Sequence, residues 1–228
     1  MSVTLATGVR VRAAIFDFNG TVCDDEGLLY DIFRDILRPL GVDLDEATYF
    51  DELAGLADPE LIAAALEREG VEVDDATHAQ LVALRVSEYL RRAGADPPVR
   101  PGSRALIEAL AGRVPLAIGS GALRAEVEHV LEAAGLRGHF AVVVTAEDVE
   151  RGKPDPETYA TCLARLHAAG GDPLHPREVV VFEDSRFGVA AAQAAGMHAI
   201  AVLGTEPPER LAAADLVLPE LGVGLIAG

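Results

Sequence analysis

A carboxylate, a hydroxyl, an ammonium and a pair of carboxylates stand in that order beside short apolar runs of this chain. Asp17 opens Asp17-Phe18-Asn19-Gly20-Thr21, directly after Ala13-Ala14-Ile15-Phe16. Ser120 follows Val114-Pro115-Leu116-Ala117-Ile118-Gly119, and Glu183-Asp184 follows Val179-Val180-Val181-Phe182. Between them, on a loop after another apolar run, lies Glu150-Arg151-Gly152-Lys153-Pro154-Asp155-Pro156. Lys153 is the one lysine of the chain; every other member of the 19 lysines and arginines is arginine. The broad planar fork of arginine does not replace a compact ammonium that must fit a tight anionic pocket. Carboxylates, a hydroxyl donor and a point positive charge at converging strand ends are the parts of a phosphoryl-transfer site.

Each mark has a plainer reading. Asn19-Gly20 is a strong turn signal by itself. A serine after a strand is often a helix N-cap, and Ser120 is placed to cap a helix starting near Ala122. Glu183-Asp184 could be a solvated acidic turn. All four in order outweigh these readings taken singly. Other chemistries fail on spacing. A nucleophile elbow around Ser120 needs glycines where Ile118 and Ala122 stand. A dinucleotide fingerprint needs glycine at Arg124, and a phosphate-binding P-loop needs serine or threonine where Pro154 follows Lys153. The six histidines are scattered without ligand spacing and are assigned no chemistry.

Positioning these groups requires strands, and the pattern supplies them. Apolar runs near 12–18, 114–119, 140–144, 178–182 and 198–203, with a weak one at 215–218, alternate with helix-like segments. That alternation predicts an α/β protein with a doubly wound parallel sheet, a Rossmann-like core, whose ligands sit at the carboxyl edge. The long stretch between the first two strands carries helical spacing instead. Leu28, Leu29, Ile32, Phe33, Ile36, Leu37 and Leu40 make one helix, and Leu61, Ile62, Ala65 and Leu66 a second, with Asp58-Pro59 as its N-cap and first turn. Leu81, Leu84, Val86 and Leu90 make a third. The expected organisation is a core of 1–24 and 98–228 with an inserted helical cap domain of 25–97. The segment Ala95-Asp96-Pro97-Pro98-Val99-Arg100-Pro101-Gly102 is read as a stiff hinge back to the sheet. Asp24-Asp25-Glu26 reads as acids at a helix N-terminus, near enough to face the cleft. Tyr30, Phe33, Tyr49 and Phe50 read as packing within the insert.

Composition narrows the partners. Hydrophobic residues make up 50% of 228, enough for a real core. A net charge of −18 argues against nucleic acid and against anionic membranes, and no apolar run is long enough to span a bilayer. Cys23 and Cys162 lack metal or disulfide-framework spacing, and residues 1–11 lack a secretion signal pattern, so a cytoplasmic location is expected. An anionic small substrate must then be held by a local positive site, a metal ion or Lys153.

With these residues in view, the chain resembles the haloacid dehalogenase-like hydrolase superfamily, in its helical-cap branch of phosphatases and β-phosphoglucomutase-like proteins. The resemblance rests on the Asp17 segment, Ser120, Lys153 before Pro154, and Glu183-Asp184 before Ser185 and Gly188. It implies that Asp17 attacks phosphorus and becomes an aspartyl phosphate. It implies that Ser120, with Gly121, and Lys153 bind the phosphoryl group. Asp17, Asp184 and the main-chain carbonyl of Asn19 would hold Mg²⁺, with Glu183 an outer or occasional ligand. The implied substrate is a small phosphorylated metabolite, and the assembly a monomer or homodimer.

The departure is Asn19. Relatives usually carry aspartate there as general acid and base, and an amide does not titrate near neutrality. Its main-chain carbonyl is unaffected. Four readings remain open at this point: a Mg²⁺-dependent phosphoester hydrolase, which leads, a β-phosphoglucomutase-like phosphotransferase, a metal-independent 2-haloacid dehalogenase, and a catalytically silent phosphoester-binding protein. A Schiff-base lysine in the insert, needed for phosphonoacetaldehyde hydrolysis, is excluded because no second lysine exists.

Overall fold

Apolar runs without polar alternation belong to strands buried on both faces. The computed structural model, which describes residues 2–54, 56–94, 97–169 and 173–227, contains such strands. A short antiparallel pair, β1 (Val3–Thr4) and β2 (Arg10–Val11), precedes the main sheet. The sheet itself is built from β3 (Ala13–Phe16), β4 (Leu116–Gly119), β5 (Phe140–Val144), β6 (Val179–Glu183), β7 (His198–Val202) and β8 (Leu216–Leu218). Their order is β5-β4-β3-β6-β7-β8, and every pairing is parallel. All residues of β3, β4 and β6 are buried. The expected doubly wound fold is present. The antiparallel β1–β2 pair has no counterpart in the sequence pattern, because two-residue strands carry no periodic signal.

The winding places the site. From β3 the chain steps to β4 and β5 on one side, then returns to β6, β7 and β8 on the other, so β3 is the topological switch point. Phe16 lies in register with Ile118 on one flank and Phe182 on the other, which brings the carboxyl ends of β3, β4 and β6 abreast. Helices α5 (Pro101–Leu110), α6 (Arg124–Ala133), α7 (Glu157–Ala168) and α8 (Arg186–Ala194) alternate with these strands in sequence.

Between β3 and β4 lies the helical insert: α1 (Glu26–Leu37), a short α2 (Glu46–Thr48) running into a π-helical turn at Tyr49–Leu53, α3 (Asp58–Arg68) and α4 (Asp75–Ala93). In α1 the residues Leu29, Ile32, Phe33, Ile36 and Leu37 are buried, the i, i+3, i+4, i+7 stripe that the sequence predicts. Two connections tie the insert to the sheet, and they are hydrogen-bonded to each other. Asp24 N–H donates to Pro98 O at 2.8 Å and Arg100 N–H to Val22 O at 2.9 Å. Of the predicted hinge, Ala95 and Asp96 lie outside the described residues; Pro97 to Gly102 form the return connection and the start of α5. No helix among the described residues is long and apolar enough to cross a membrane.

Two local readings need correction. The cap residue of α3 is Ala57, and Asp58 and Pro59 are already helical. The Asp58 side chain is drawn away by Arg85 instead. In α4 the buried stripe is Leu81, Arg85, Tyr89 and Ala93, whereas Leu84 is 46% exposed. A polar stripe is buried here because its partners come from elsewhere in the chain. Arg85 donates to Asp58 of α3 at 3.0 Å and to Glu126 of α6, joining two insert helices to the core. Asp58 Oδ2, Arg85 Nε and Glu126 Oε2 have no hydrogen-bond partner among the described residues, so the network is only partly satisfied.

Removing the cation from such a network leaves two buried carboxylates facing each other. Arg85→Met should therefore cost about 3–5 kcal/mol of stability, the usual penalty for breaking a buried ion pair from one side. Adding Asp58→Asn and Glu126→Gln should recover most of it. Urea unfolding of the single and triple variants measures both; equal losses in the two would show that the guanidinium stem's packing, and not its charge, is what matters.

Candidate active site

Asp17 leaves β3 with its N–H donating to Phe182 O at 2.9 Å, so its position is fixed by the neighbouring strand. Lys153, on the loop between β5 and α7, reaches the same point. Its Nζ donates to Asp17 Oδ1 at 2.5 Å and to Glu183 Oε1 at 2.7 Å, with all three side chains buried. The ammonium also lies 5.0 Å from the Tyr159 ring centroid, over its face. Burial works against the Lys153 charge, but the carboxylates of Asp17 and Glu183 outweigh it and raise its pKa. The Lys153–Pro154 peptide is cis.

Glu183 is held on both oxygens. Oε1 accepts from Lys153 and from the Tyr159 hydroxyl at 2.7 Å. Oε2 accepts from the N–H groups of Asp184 and Ser185 at 2.8 and 2.9 Å and from Ser185 Oγ at 3.1 Å. Burial would push its pKa up, but Lys153 and these donors hold it below the ordinary value. Gly188 makes room for it, since a Cβ there would lie 1.6 Å from Glu183 Oε1. Gly20 does the same beside Asp184. It has φ +72°, and a Cβ on it would lie 1.8 Å from Asp184 Oδ2. Asp184 accepts from the Thr205 hydroxyl and, more distantly, from Thr21 Oγ1 at 3.5 Å.

These groups suit a cation. Ligand atoms of Asp17, Glu183 and Asp184 lie within 4.8 Å of one another. Three carboxylates meet one ammonium, and the imbalance is felt where no donor offsets it. Burial pushes Asp17 up to about 7 despite Lys153. Burial, then the charges of Asp17 and Glu183, push Asp184 well above the usual carboxylate range. A hard divalent ion with oxygen ligands fits this surplus of negative charge. Glu183 is engaged by five donors, whereas Asp17 accepts from Lys153 through one oxygen and Asp184 only from two threonine hydroxyls, so these two carboxylates are the better placed to meet a cation.

Ser120 N–H donates to Val144 O at 3.0 Å, and its Oγ accepts from Ala122 N–H at 3.0 Å. This serine turn precedes α6 and does not cap it, because the N-cap residue is Leu123. Gly121, Asn19, Lys153, Asp17 and Asp184 line one pocket, while Ser120 lines the adjoining one beside Gly121. The structure thus brings all the predicted site residues to one sheet edge.

It also adds residues that the sequence reading missed or left aside. Asn19 Nδ2 donates to Asp25 Oδ2 at 2.9 Å, and the Tyr89 hydroxyl donates to the same oxygen at 2.5 Å. Asp25 occupies the N-cap position of α1 but makes no capping hydrogen bond. It is buried, its Oδ1 has no partner among the described residues, and burial raises its pKa. Glu26 lines the pocket with Asp17, and the Tyr49 hydroxyl donates to its Oε2 at 3.0 Å. Burial, then the Asp25 charge, pushes Glu26 up to about 8. Phe33 and Tyr49 pack ring to ring at 6.1 Å, as expected of the insert's interior, and also line the pocket. Tyr159 and Thr205 carried no sequence signal, because only the fold brings them to Glu183 and Asp184. For Glu26 the acidic run before α1 was the available signal.

Known proteins share this chain's sequence pattern and fold. The haloacid dehalogenase-like hydrolase family matches residues 11–196. The chain is 32% identical over 193 residues to fructose-1-phosphate phosphatase YqaB of Escherichia coli (strain K12), covering 85% of this chain and 97% of that protein. It is 29% identical over 212 residues to validoxylamine A 7'-phosphate phosphatase of Streptomyces hygroscopicus subsp. limoneus, covering 92% and 94%. Among solved structures, CbbY from Rhodobacter sphaeroides in complex with phosphate aligns with a TM-score of 0.81 at 28% identity, covering 94% of this chain and 99% of that one. A β-phosphoglucomutase from Clostridium difficile aligns with a TM-score of 0.80 at 22% identity, covering 92% and 91%, a likeness of fold alone. With a family match over most of its length and phosphatase relatives spanned nearly end to end, the chain belongs to the haloacid dehalogenase-like hydrolases, as a phosphatase-type hydrolase.

Proposed function

We propose that this protein hydrolyses a phosphomonoester of a small polyhydroxylated metabolite through an aspartyl phosphate on Asp17, with Mg²⁺ as cofactor. The observation that carries the reading is the buried Lys153 ammonium held between Asp17 and Glu183 beside Asp184. Asp17 is the nucleophile, which divides one hard displacement into two easier ones. Lys153 offsets the charge that develops on the phosphoryl oxygens, and Glu183 keeps it in place. Ser120 Oγ accepts from Ala122, which leaves its own proton to donate to a phosphoryl oxygen, with Gly121 beside it. Asp17, Asp184 and the main-chain carbonyl of Asn19 would hold Mg²⁺, which supplies positive charge next to the phosphoryl group.

Residues 1–24 and 98–228 serve as the catalytic core, and 25–97 as a cap that keeps bulk water from the phosphoryl group. The names of the relatives support a sugar or polyol phosphate as substrate. The pocket supports a single phosphate. Its second cation, Arg85, is already shared between Asp58 and Glu126, so it offers little to a further anionic group. A mutase reading draws less support, because Asn19 cannot exchange protons with sugar hydroxyls. A second reading, phosphoester binding without turnover, draws on the same residue, whose amide is engaged by Asp25.

Phosphate release from a panel of sugar and polyol phosphates, with Mg²⁺ and with chelator, separates these readings. Release should require Mg²⁺ and vanish in Asp17→Asn, together with any phosphorylated chain seen by intact mass after acid quench. Turnover surviving in Asp17→Asn would sink the proposal. Gly188→Ala, which forces the Glu183 carboxylate to move, should lower kcat/KM by about 10²-fold without removing the nucleophile, the scale expected when a catalytic group is misplaced by about 1 Å. An unchanged kcat/KM would show that Lys153 does not depend on Glu183 for its position.

A further inference from the structure

Hydrolysis through an aspartyl phosphate, the reading on which this inference rests, needs a proton twice. The departing ester oxygen must take one, and the attacking water must lose one. Both oxygens occupy the same place in turn, in line with phosphorus and opposite the Asp17 oxygen, so one group can serve both steps. Asn19 cannot be that group. Its amide does not titrate, and Nδ2 already donates to Asp25.

The groups lining the pocket leave few substitutes. Lys153 is fixed as a cation by two carboxylates, and Arg85 is permanently charged. Asp184 sits among the groups assigned to the metal. Asp58 accepts from Arg85 through Oδ1 and is tied into the link between α3, α4 and α6. Asp25 does not line the pocket, and Asp24 has a 71% exposed side chain paired with Arg100. Glu26 differs from all of these. It lies in the first turn of α1, is half-buried, lines the pocket with Asp17, and receives one hydrogen bond, from Tyr49 to Oε2. Its Oε1 accepts from no group among the described residues.

We propose that Glu26, held by Tyr49, is the general acid and base of this enzyme and takes over the work that Asn19 cannot do. In the first step Asp17 forms a bond to phosphorus as the P–O ester bond breaks, and the Glu26 carboxyl gives its proton to the leaving oxygen. In the second, Glu26 carboxylate takes one proton from water as the water oxygen bonds to phosphorus and the Asp17–phosphorus bond breaks. Glu26 is then protonated again and Asp17 is free. The charged and titratable groups around Glu26 include Tyr49 from the π-helical turn, Arg85 from α4, Asp17 and Asp184 from the sheet edge, and Asp25 beside it. Burial, with the Asp25 charge, favours the protonated carboxyl near neutrality, in agreement with an acid role.

The test is Glu26→Gln, which keeps the shape and can still accept from Tyr49. Turnover of an alkyl phosphate such as a hexitol phosphate should fall by about 10²–10⁴-fold, the usual worth of a positioned acid–base group. With p-nitrophenyl phosphate, whose leaving group needs little protonation, nitrophenol should appear in a burst while the phosphorylated chain accumulates. A second variant gives an independent check. The exchange Asn19→Asp with Asp25→Asn keeps the hydrogen bond between residues 19 and 25 with donor and acceptor reversed, and the second N–H of the new amide can donate to the Tyr89 oxygen. It returns a carboxyl to position 19, so adding it to Glu26→Gln should restore alkyl turnover.

Four results would overturn the assignment: alkyl turnover in Glu26→Gln at the wild-type rate; an equal fall for alkyl and aryl esters with no phosphorylated chain, which marks a binding role; no rescue by the exchange; or the burst behaviour appearing in Asp58→Asn instead. A phosphorylated wild-type chain alongside any of these leaves the hydrolase reading standing. A wild-type chain that never becomes phosphorylated and releases no phosphate removes that reading, and the role of Glu26 with it.

Discussion

A buried ammonium organises this molecule's carboxyl edge. Taking a charge out of water costs several kcal/mol unless it is paired and hydrogen-bonded. Lys153 is paired twice, with Asp17 at the end of β3 and Glu183 at the end of β6. Glu183 can be buried as an anion because five donors reach its two oxygens, from the Lys153 loop, from Tyr159 of α7 and from the turn into α8. Gly188 leaves that carboxylate its space. Two strands, two helices and a loop thus converge on one positive charge, and the position of the Asp17 carboxylate follows from theirs.

The same convergence leaves negative charge over. Lys153 neutralises one of three neighbouring carboxylates, and Asp17 and Asp184 show the remainder as pKa values driven upward by burial. In a chain of net charge −18, Lys153 is one positive point among three carboxylates, and the proposed reading places a further cation beside it. That is how so acidic a protein can hold an anionic ester: attraction comes from two or three groups at close range in a low-dielectric site, and not from the overall field.

The insert is joined to the sheet by polar contacts as well as apolar ones. Arg85 links α3 and α4 to Glu126 of α6, and Tyr89 of α4 reaches Asp25, which in turn holds the Asn19 side chain. Asn19 therefore does a structural job with its side chain: its amide donates to a buried carboxylate that an aspartate at the same place would repel. An amide at position 19 and the buried Asp25 carboxylate make sense as a pair.

The strands along the chain, the helical nature of the insert and the four groups at the strand ends were all legible in the sequence. Each depends on local pattern: apolar runs without alternation, helical spacing in α1, and polar residues placed just after strands. A single lysine among arginines marked Lys153 without any structure. Strand ends were read within a residue or two, and Asp58 was misplaced by one position at the start of α3, because a side chain drawn to a distant partner leaves no local mark. The buried stripe of α4 was misread for the same reason. Leu84 looks like core and faces solvent, whereas Arg85 and Tyr89 look like surface and are buried by Asp58, Glu126 and Asp25. Tyr159, Thr205 and Glu26 are tied into the site by hydrogen bonds between residues 21 to 24 positions apart, beyond the reach of any local pattern. What the sequence by itself determined was the set of elements and the chemical groups at their ends. Which carboxylates share the ammonium, which are left short of a cation, and which line the pocket were decided only by the tertiary structure, because charge pairing and desolvation are properties of the assembled interior.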